Sequence, residues 1–116
     1  MIDVTRSGDD LLRVLAALAN PHRLRILAIL AGGRQYVSML AREVNLSRPL
    51  VHLHLQRLEA AGLITGSLEL SPDGKAMKWF EVVPFVLHLT PLDIIDRAST
   101  LSIPEKPAAA TGKDEQ

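Results

Sequence analysis

Positively charged side chains are concentrated in one part of this sequence. The segment from Asn20 to Leu58 contains six arginines and one acidic residue, Glu43, so it has a net charge of +5 in a chain whose overall charge is zero. Clustered guanidinium groups bind the phosphates of nucleic acids. Arginines that only solvate helix surfaces would give the same count, so charge alone leaves both interpretations open.

Patterns for catalysis and metal binding are missing from the sequence. It has no cysteine, no glycine-rich phosphate loop and no nucleophile motif, and its four histidines are scattered. A reaction centre needs a nucleophile, a base or a metal cluster at a defined spacing. We therefore expect no enzyme activity, no metal and no cofactor.

Length and composition favour one globular domain. A chain of 116 residues has room for a single core, and its hydrophobic fraction of 47% is too high for a disordered protein. No apolar run approaches the ~18 residues of a membrane span, and residues 1–10 lack the basic and apolar parts of a secretion signal. We expect a cytoplasmic protein without a membrane partner. Residues 1–101 form the predicted domain, and residues 102–116 are predicted to be a disordered tail.

Four helices are predicted in the first half of the chain. Ser7, Asn20 and Ser47 are capping residues that stand just before apolar residues at helical spacing, and Gly32-Gly33 and Gly62 are typical helix ends. The predicted helices cover residues 8–19, 21–31 and 37–44, and a fourth helix is capped by Ser47 and left at Gly62, with a tight turn at Asn45-Leu46 before it. One stripe of the fourth helix is apolar and expected in the core: Val51, Leu55, Leu58 and Gly62. The opposite stripe is expected to be exposed: Pro49, His52, Leu53, Gln56 and Ala60.

The pattern becomes extended after the fourth helix. Residues 67–70 and 76–83, joined by the turn Ser71-Pro72-Asp73-Gly74-Lys75, predict a β-hairpin. Residues 85–89 are expected to extend the sheet, and Thr90-Pro91 to begin a short last helix. The order of elements predicts an α+β, mainly helical fold: a winged helix-turn-helix with a β-hairpin wing and flanking dimerisation helices.

Three runs of the sequence carry a resemblance to a known family. ALANPHRLRILAIL, LAREVNLSRPLVHLHLQRLEAAGLI and SPDGK resemble the ArsR type of small bacterial and archaeal repressors, over roughly residues 10–83. The resemblance implies a transcriptional regulator that binds double-stranded DNA as a homodimer, with its recognition helices in successive major grooves and its wings on the flanking backbone or minor groove. A winged helix used only for protein–protein contact is the alternative, and the basic segment argues against it.

The fourth helix and the wing supply the residues expected to bind DNA. In the major groove Arg48 suits guanine and Gln56 suits adenine, while Leu53 suits either a thymine methyl or a dimer contact. The complete set is Arg48, Pro49, His52, Leu53 and Gln56 on the helix, with Lys75 and Lys78 on the wing as phosphate ligands.

Other roles are expected for five further side chains of the helices and the wing. His54 lies closer to the core stripe and is expected to be structural, and one of Trp79 and Phe80 is expected to pack inward because strand residues alternate. For Arg23 and Arg25, a phosphate contact and a surface salt bridge or solvation stay equally open.

Sensing and self-association complete the expectations. Many members of the family bind metal through two cysteines, where this chain has Tyr36-Val37-Ser38-Met39, and Asp93 and Asp96 of the last helix have no histidine beside them; the nearest, His88, precedes the helix. We expect no metal sensing, and the small-molecule effector is unknown.

The first and last helices have more apolar surface than one small core can hide, so the expected dimerisation residues are Leu11, Leu12, Leu15, Ile94 and Ile95.

Overall fold

Capping side chains begin four of the five helices in the computed structural model, which describes residues 1–102. The helices are α1 (Gly8–Leu18), α2 (Pro21–Ala31), α3 (Val37–Val44), α4 (Arg48–Ala60) and α5 (Pro91–Ala98). Ser7, Asn20, Ser47 and Thr90 each accept a hydrogen bond from an amide in the first turn. The predicted bounds of the first three helices are confirmed to within one residue, and the fourth helix begins directly after Ser47, as predicted. The predicted tail, apart from Ser102, lies outside the described residues.

The core is built around one side of α4. Val51, Leu55 and Leu58 are fully buried there, as the apolar stripe predicts. They meet buried side chains of α2, α3 and the wing, including Ile26, Leu30, Leu40 and Phe80. Gly62, predicted to share the stripe, instead lies exposed just after the helix with φ 79°, where glycine turns the chain.

Three antiparallel strands form the wing sheet in the order β2-β4-β3. The strands are β2 (Gln35–Tyr36), β3 (Ile64–Leu70) and β4 (Ala76–Val82). The predicted hairpin is confirmed, although β3 begins three residues earlier than expected. Its turn is closed by the Ser71 amide donating to the Lys75 carbonyl oxygen at 2.8 Å, and Gly74 has φ 85°. The two-residue strand β2 was not predicted.

Residues 85–89 do not extend the wing sheet, which corrects the expectation. Instead β5 (Phe85–Val86) pairs in parallel with β1 (Ile2–Asp3) in a separate two-stranded sheet. Pro84 has no N–H to continue the wing ladder, and its carbonyl oxygen accepts a hydrogen bond from the Ile2 amide at 2.9 Å. The first residues of the chain are thereby tied to the segment that follows the wing.

Helix α5 returns the chain to α1. The Gly8 amide donates to the Thr100 hydroxyl at 2.8 Å, and a Cβ at Gly8 would overlap the Arg97 carbonyl oxygen, so only glycine allows this approach. No single helix within residues 1–102 is long and apolar enough to cross a membrane, and α1 and α2 reach that length only together, across a bend of 93°.

Candidate nucleic-acid interface

The side chains expected to read DNA lie on the exposed face of α4. Arg48, Pro49, His52, Leu53 and Gln56 all point away from the core, and 55% of the Leu53 surface is exposed. An exposed leucine on this face suits a thymine methyl or a partner chain, and these two interpretations of Leu53 stay open.

The turn before α4 fixes where this face begins. Asn45 ends α3 in the left-handed conformation, with φ 56°, which asparagine tolerates better than most residues. The Leu46 amide bonds back to α3 at 3.1 Å, and the Ser47 hydroxyl accepts from the Leu50 amide at 3.4 Å. Together the turn and the cap hold Arg48 at the first position of α4.

A groove between α4 and the wing brings three of the predicted residues together. This wing groove has a volume of about 260 Å³ and contains Arg48 and His52 from α4 and Lys78 from β4. Its other lining residues are Tyr36, Val37, Ser38, Ala76 and Met77. A guanidinium, an imidazole and an ammonium group around one groove provide donors for phosphate oxygens and base edges. Lys75 lies apart, exposed in the wing turn.

A second groove follows the helix-turn-helix itself. It has a volume of about 530 Å³, and two arginines, Arg42 at the end of α3 and Arg48 at the start of α4, lie on it. Sequence reasoning did not single out Arg42. The signal in the sequence was its place as a basic residue in the last turn of α3, just before the turn that leads into α4.

The position of Lys78 depends on a glycine in the neighbouring strand. A Cβ at Gly66 would lie 2.7 Å from the Lys78 Cε atom and 3.0 Å from the Phe80 ring, so glycine makes room for both side chains. The Lys78 ammonium lies 5.4 Å from the centre of the Phe80 ring. Phe80 is the wing aromatic that packs inward, as predicted for one of the pair.

Trp79 packs beside Arg34, whose positive charge is paired with a carboxylate of the wing. The Arg34 guanidinium lies 4.4 Å from the centre of the Trp79 ring and donates two hydrogen bonds to the Glu69 carboxylate, which raises the pKa of Arg34. Tyr36 packs edge-on against Trp79 at 5.1 Å. The charge of Arg34 is therefore balanced within the wing.

Arg23 has neither of the roles left open for it, because it is buried, with 8% of its surface exposed. Its Nε and Nη2 atoms donate to the carbonyl oxygens of Ala17 at 2.6 Å and Ala16 at 3.1 Å. Its Nη1 atom lies 3.0 Å from the His54 Nδ1 atom. Arg23 thus joins the end of α1 and the start of α2 to α4. The other five arginines of the basic segment are exposed, and of these Arg34 is paired with Glu69. The remaining four are Arg25, Arg42, Arg48 and Arg57.

Four of the five residues expected at a dimer interface are exposed on the protomer. Leu12, Leu15, Ile94 and Ile95 are exposed, and α1 and α5 lie side by side. Leu11 is different: only 7% of its surface is exposed, because its side chain points from α1 into the interior of the protomer. Leu92 of α5, which was not predicted, is 76% exposed and joins the apolar surface.

The one histidine considered for a metal has a different partner. The His88 Nδ1 atom lies 2.9 Å from an Asp93 carboxylate oxygen, and the same oxygen accepts from the Thr90 amide as part of the α5 capping box. Within residues 1–102, no three histidine or carboxylate side chains are grouped as metal ligands.

Comparison with known proteins places this geometry in a family. Residues 20–65 match the family model for bacterial regulatory proteins of the arsR family. An uncharacterized HTH-type transcriptional regulator of Methanocaldococcus jannaschii is 41% identical over 89 residues, which are 77% of this chain and 85% of that protein.

Solved structures of similar proteins support the same fold and family. A possible transcriptional regulatory protein of Mycobacterium bovis, solved as a fragment, is 31% identical with a TM-score of 0.57, and the match covers 64% of this chain and 74% of that one. A second structure from Mycobacterium bovis, described as a homodimeric winged helix-turn-helix DNA-binding domain, is 30% identical with a TM-score of 0.57, and the match covers 64% of each chain. These matches confirm the predicted fold class and the resemblance. This chain belongs to the ArsR family of DNA-binding winged helix-turn-helix transcriptional regulators.

Proposed function

We propose that the protein represses transcription as a homodimer that reads a two-fold symmetric DNA site with α4 and supports it with the wing. The observation that carries this proposal is the wing groove, where Arg48, His52 and Lys78 face one space beside the exposed side of α4. A cationic groove next to an exposed helix face suits a phosphate at the edge of the major groove.

In this proposal one set of side chains positions the protein on the DNA backbone, and another set reads the bases. Lys78 and Arg42 contact backbone phosphates, which fixes the register of the protein but carries no sequence information. Arg48, Leu53 and Gln56 reach the base edges, since a guanidinium suits guanine and a side-chain amide suits adenine. The contribution of Pro49 is shape, because it starts α4 with a rigid, exposed ring at the first turn.

A second copy of the chain is the partner proposed for the apolar surface of α1 and α5. Leu12, Leu15, Ile94 and Ile95 are exposed there, and contiguous exposed apolar surface is typical of an interface. The second Mycobacterium bovis relative is described as homodimeric. Two-fold symmetry would place two copies of α4 in successive major grooves, about 34 Å apart.

Repression in the cytoplasm completes the proposal, with no catalytic step. Repression is the role that the family resemblance implies, and a dimer that covers two major grooves prevents other proteins from using them. A promoter–reporter assay with and without the protein tests the direction of regulation.

Selection of duplexes from a random pool tests the proposal as a whole. We expect enrichment of an inverted repeat with half-site centres about 10 base pairs apart, bound by two protomers. If no duplex is enriched over the starting pool at low salt, the proposal is wrong, and the winged helix as a protein-binding module is favoured instead.

A further inference from the structure

A small groove lies between α1 and the last turns of α4. This alanine groove, lined by Arg13, Ala16, Ala17, Arg57 and Ala60, has a volume of about 210 Å³. Sites for drug-sized ligands have volumes of roughly 300 to 1,000 Å³, so the space suits a smaller molecule. Arg57 directly follows Gln56, the last residue proposed to read DNA, and lies nine residues beyond Arg48, about 13 Å along the helix axis.

The chemistry of the lining is apolar in the middle and cationic at the rim. Three alanine side chains form the floor, and one arginine from each helix stands beside it. Arg13 is partly engaged, because its Nη1 atom lies 3.2 Å from an Asp10 carboxylate oxygen. Within residues 1–102, no carboxylate lies within ion-pair distance of Arg57.

Positive charge accumulates behind the floor as well. The carbonyl oxygens of Ala16 and Ala17 accept hydrogen bonds from the buried Arg23 guanidinium, and His54 lies next to Arg23. The charge of Arg57 contributes to the lowered pKa values of Arg23 and His54, after burial in both cases. An anion in the alanine groove would therefore relieve the repulsion among the guanidinium groups of Arg13, Arg23 and Arg57.

We propose that the alanine groove binds a small organic carboxylate, with its apolar body on the three alanines and its carboxylate on Arg57 and Arg13. Guanidinium groups bind carboxylates through two parallel hydrogen bonds, which gives the contact both strength and direction. A phosphate of the bound duplex is a poorer occupant, because the floor of the groove is formed by three apolar alanine side chains.

Occupancy of the groove would connect α1 to the reading helix, because each helix supplies one wall. A ligand that bridges them changes the freedom of α4 to settle in the major groove. We expect bound carboxylate to change the affinity for the selected duplex by roughly five-fold or more, the lower end of usual coupling between sites. This last step rests on the proposed function, whereas binding of the carboxylate does not.

Calorimetric titration of the full chain, without DNA, tests the site with benzoate and isobutyrate as probes. We expect saturable binding, one ligand per protomer, of at least one probe at a Kd tighter than ~10 mM. Benzamide and isobutyramide, the uncharged counterparts, should bind at least ten-fold more weakly. Saturating carboxylate should also raise the pKa of His54 in an NMR titration, because the bound anion offsets the charge of Arg57.

Three variants locate the binding. Arg57→Gln removes the rim charge and Ala60→Phe fills the floor, so each should weaken the carboxylate at least ten-fold, with folding checked by circular dichroism. Arg6→Gln removes the same charge from an exposed position before α1 and should leave carboxylate binding unchanged. The site is refuted if neither carboxylate saturates, if the amides bind equally well, or if Arg6→Gln costs as much as Arg57→Gln. If the carboxylate binds but the protein selects no duplex, the proposed function fails and the site stands.

Discussion

The Nη1 atom of Arg23 lies 3.0 Å from the Nδ1 atom of His54, and this contact determines the tautomer of the neutral histidine. A guanidinium has donors and no acceptor, so His54 Nδ1 has to offer its lone pair and the proton of the neutral ring is on Nε2. Burial lowers the pKa of His54 most, and the charges of Arg23, His22 and Arg57 lower it further. His54 is therefore neutral in the folded protein near pH 7, as the acceptor that holds Arg23 against α4.

Acid should weaken the fold through His54. Its pKa in the folded protein is below the value of about 6.5 expected in the unfolded chain, so the unfolded chain takes up the proton first. The stabilising contribution is complete above about pH 6.5 and is lost as the pH falls through the pKa of the folded protein. Urea unfolding of the wild type across this range should show the loss.

Two variants separate His54 from other titrating groups. His54→Gln keeps an acceptor for Arg23 that does not titrate, so its free energy of unfolding should fall less with acid. His52→Gln, which removes an exposed imidazole from the same helix, should follow the wild type. Parallel curves for the wild type and His54→Gln would contradict this account.

Loss of the Arg23 guanidinium should destabilise the fold more than loss of the Arg25 guanidinium on the same helix. Arg23→Leu leaves the Ala16 and Ala17 carbonyl oxygens without their donors, and a buried group without its partner costs ~1 to 3 kcal/mol, so we expect a total of about 2 to 4 kcal/mol. Arg25→Leu, an exposed position on the same helix, should change stability by less than about 0.5 kcal/mol. Equal effects of the two substitutions in urea unfolding would show that Arg23 is not a structural anchor.

Self-association should depend on the exposed leucines and isoleucines of α1 and α5. Sedimentation at micromolar concentration should give a mass of ~25 kDa, twice the 12.7 kDa of one chain. A glutamate at an apolar interface leaves a charge without a partner, so Leu12→Glu and Ile95→Glu should each give a folded monomer. Leu68→Glu, at an exposed site on the wing, should stay dimeric; a monomeric wild type that binds DNA tightly would overturn the dimer.

Zinc should leave DNA binding unchanged at stoichiometric concentration. Tyr36 and Ser38 stand where thiolates are found in metal-binding members of the family, and a closed zinc site needs about four ligands. The His88–Asp93 pair offers at most two. Should zinc release the selected duplex from the wild type but not from a His88→Ala variant, a metal site built on this pair has been missed.

Local signals predicted the helices because capping is a local event. Ser7, Asn20 and Ser47 each cap the helix that follows them, and the alternation of apolar and polar residues correctly divided α4 into buried and exposed faces. These features depend on neighbours within about one helical turn, so the sequence alone contains them.

Contacts between distant parts of the chain could not be predicted in this way. The pairing of Ile2 with Phe85 uses strands of two residues, which are too short to show a period. The burial of Arg23 depends on the carbonyl groups at the end of α1 and on the ring of His54, which only the packed fold brings to it. The convergence of Arg48 and Lys78 in the wing groove depends in the same way on how the wing folds back toward α4.

The effect of single substitutions on base preference tests the reading surface most directly. The measurement is the affinity of the wild type, Arg48→Ala, Gln56→Ala and Lys78→Ala for the selected duplex and for every single-base variant of it, at several salt concentrations. The first two substitutions should each cost ~1 to 3 kcal/mol and relax the preference at particular base pairs. Lys78→Ala should weaken all duplexes about equally and lower the slope of log affinity against log salt by roughly one per site. If Arg48→Ala and Gln56→Ala keep the base preferences of the wild type while Lys78→Ala alters them, α4 is not the reading helix.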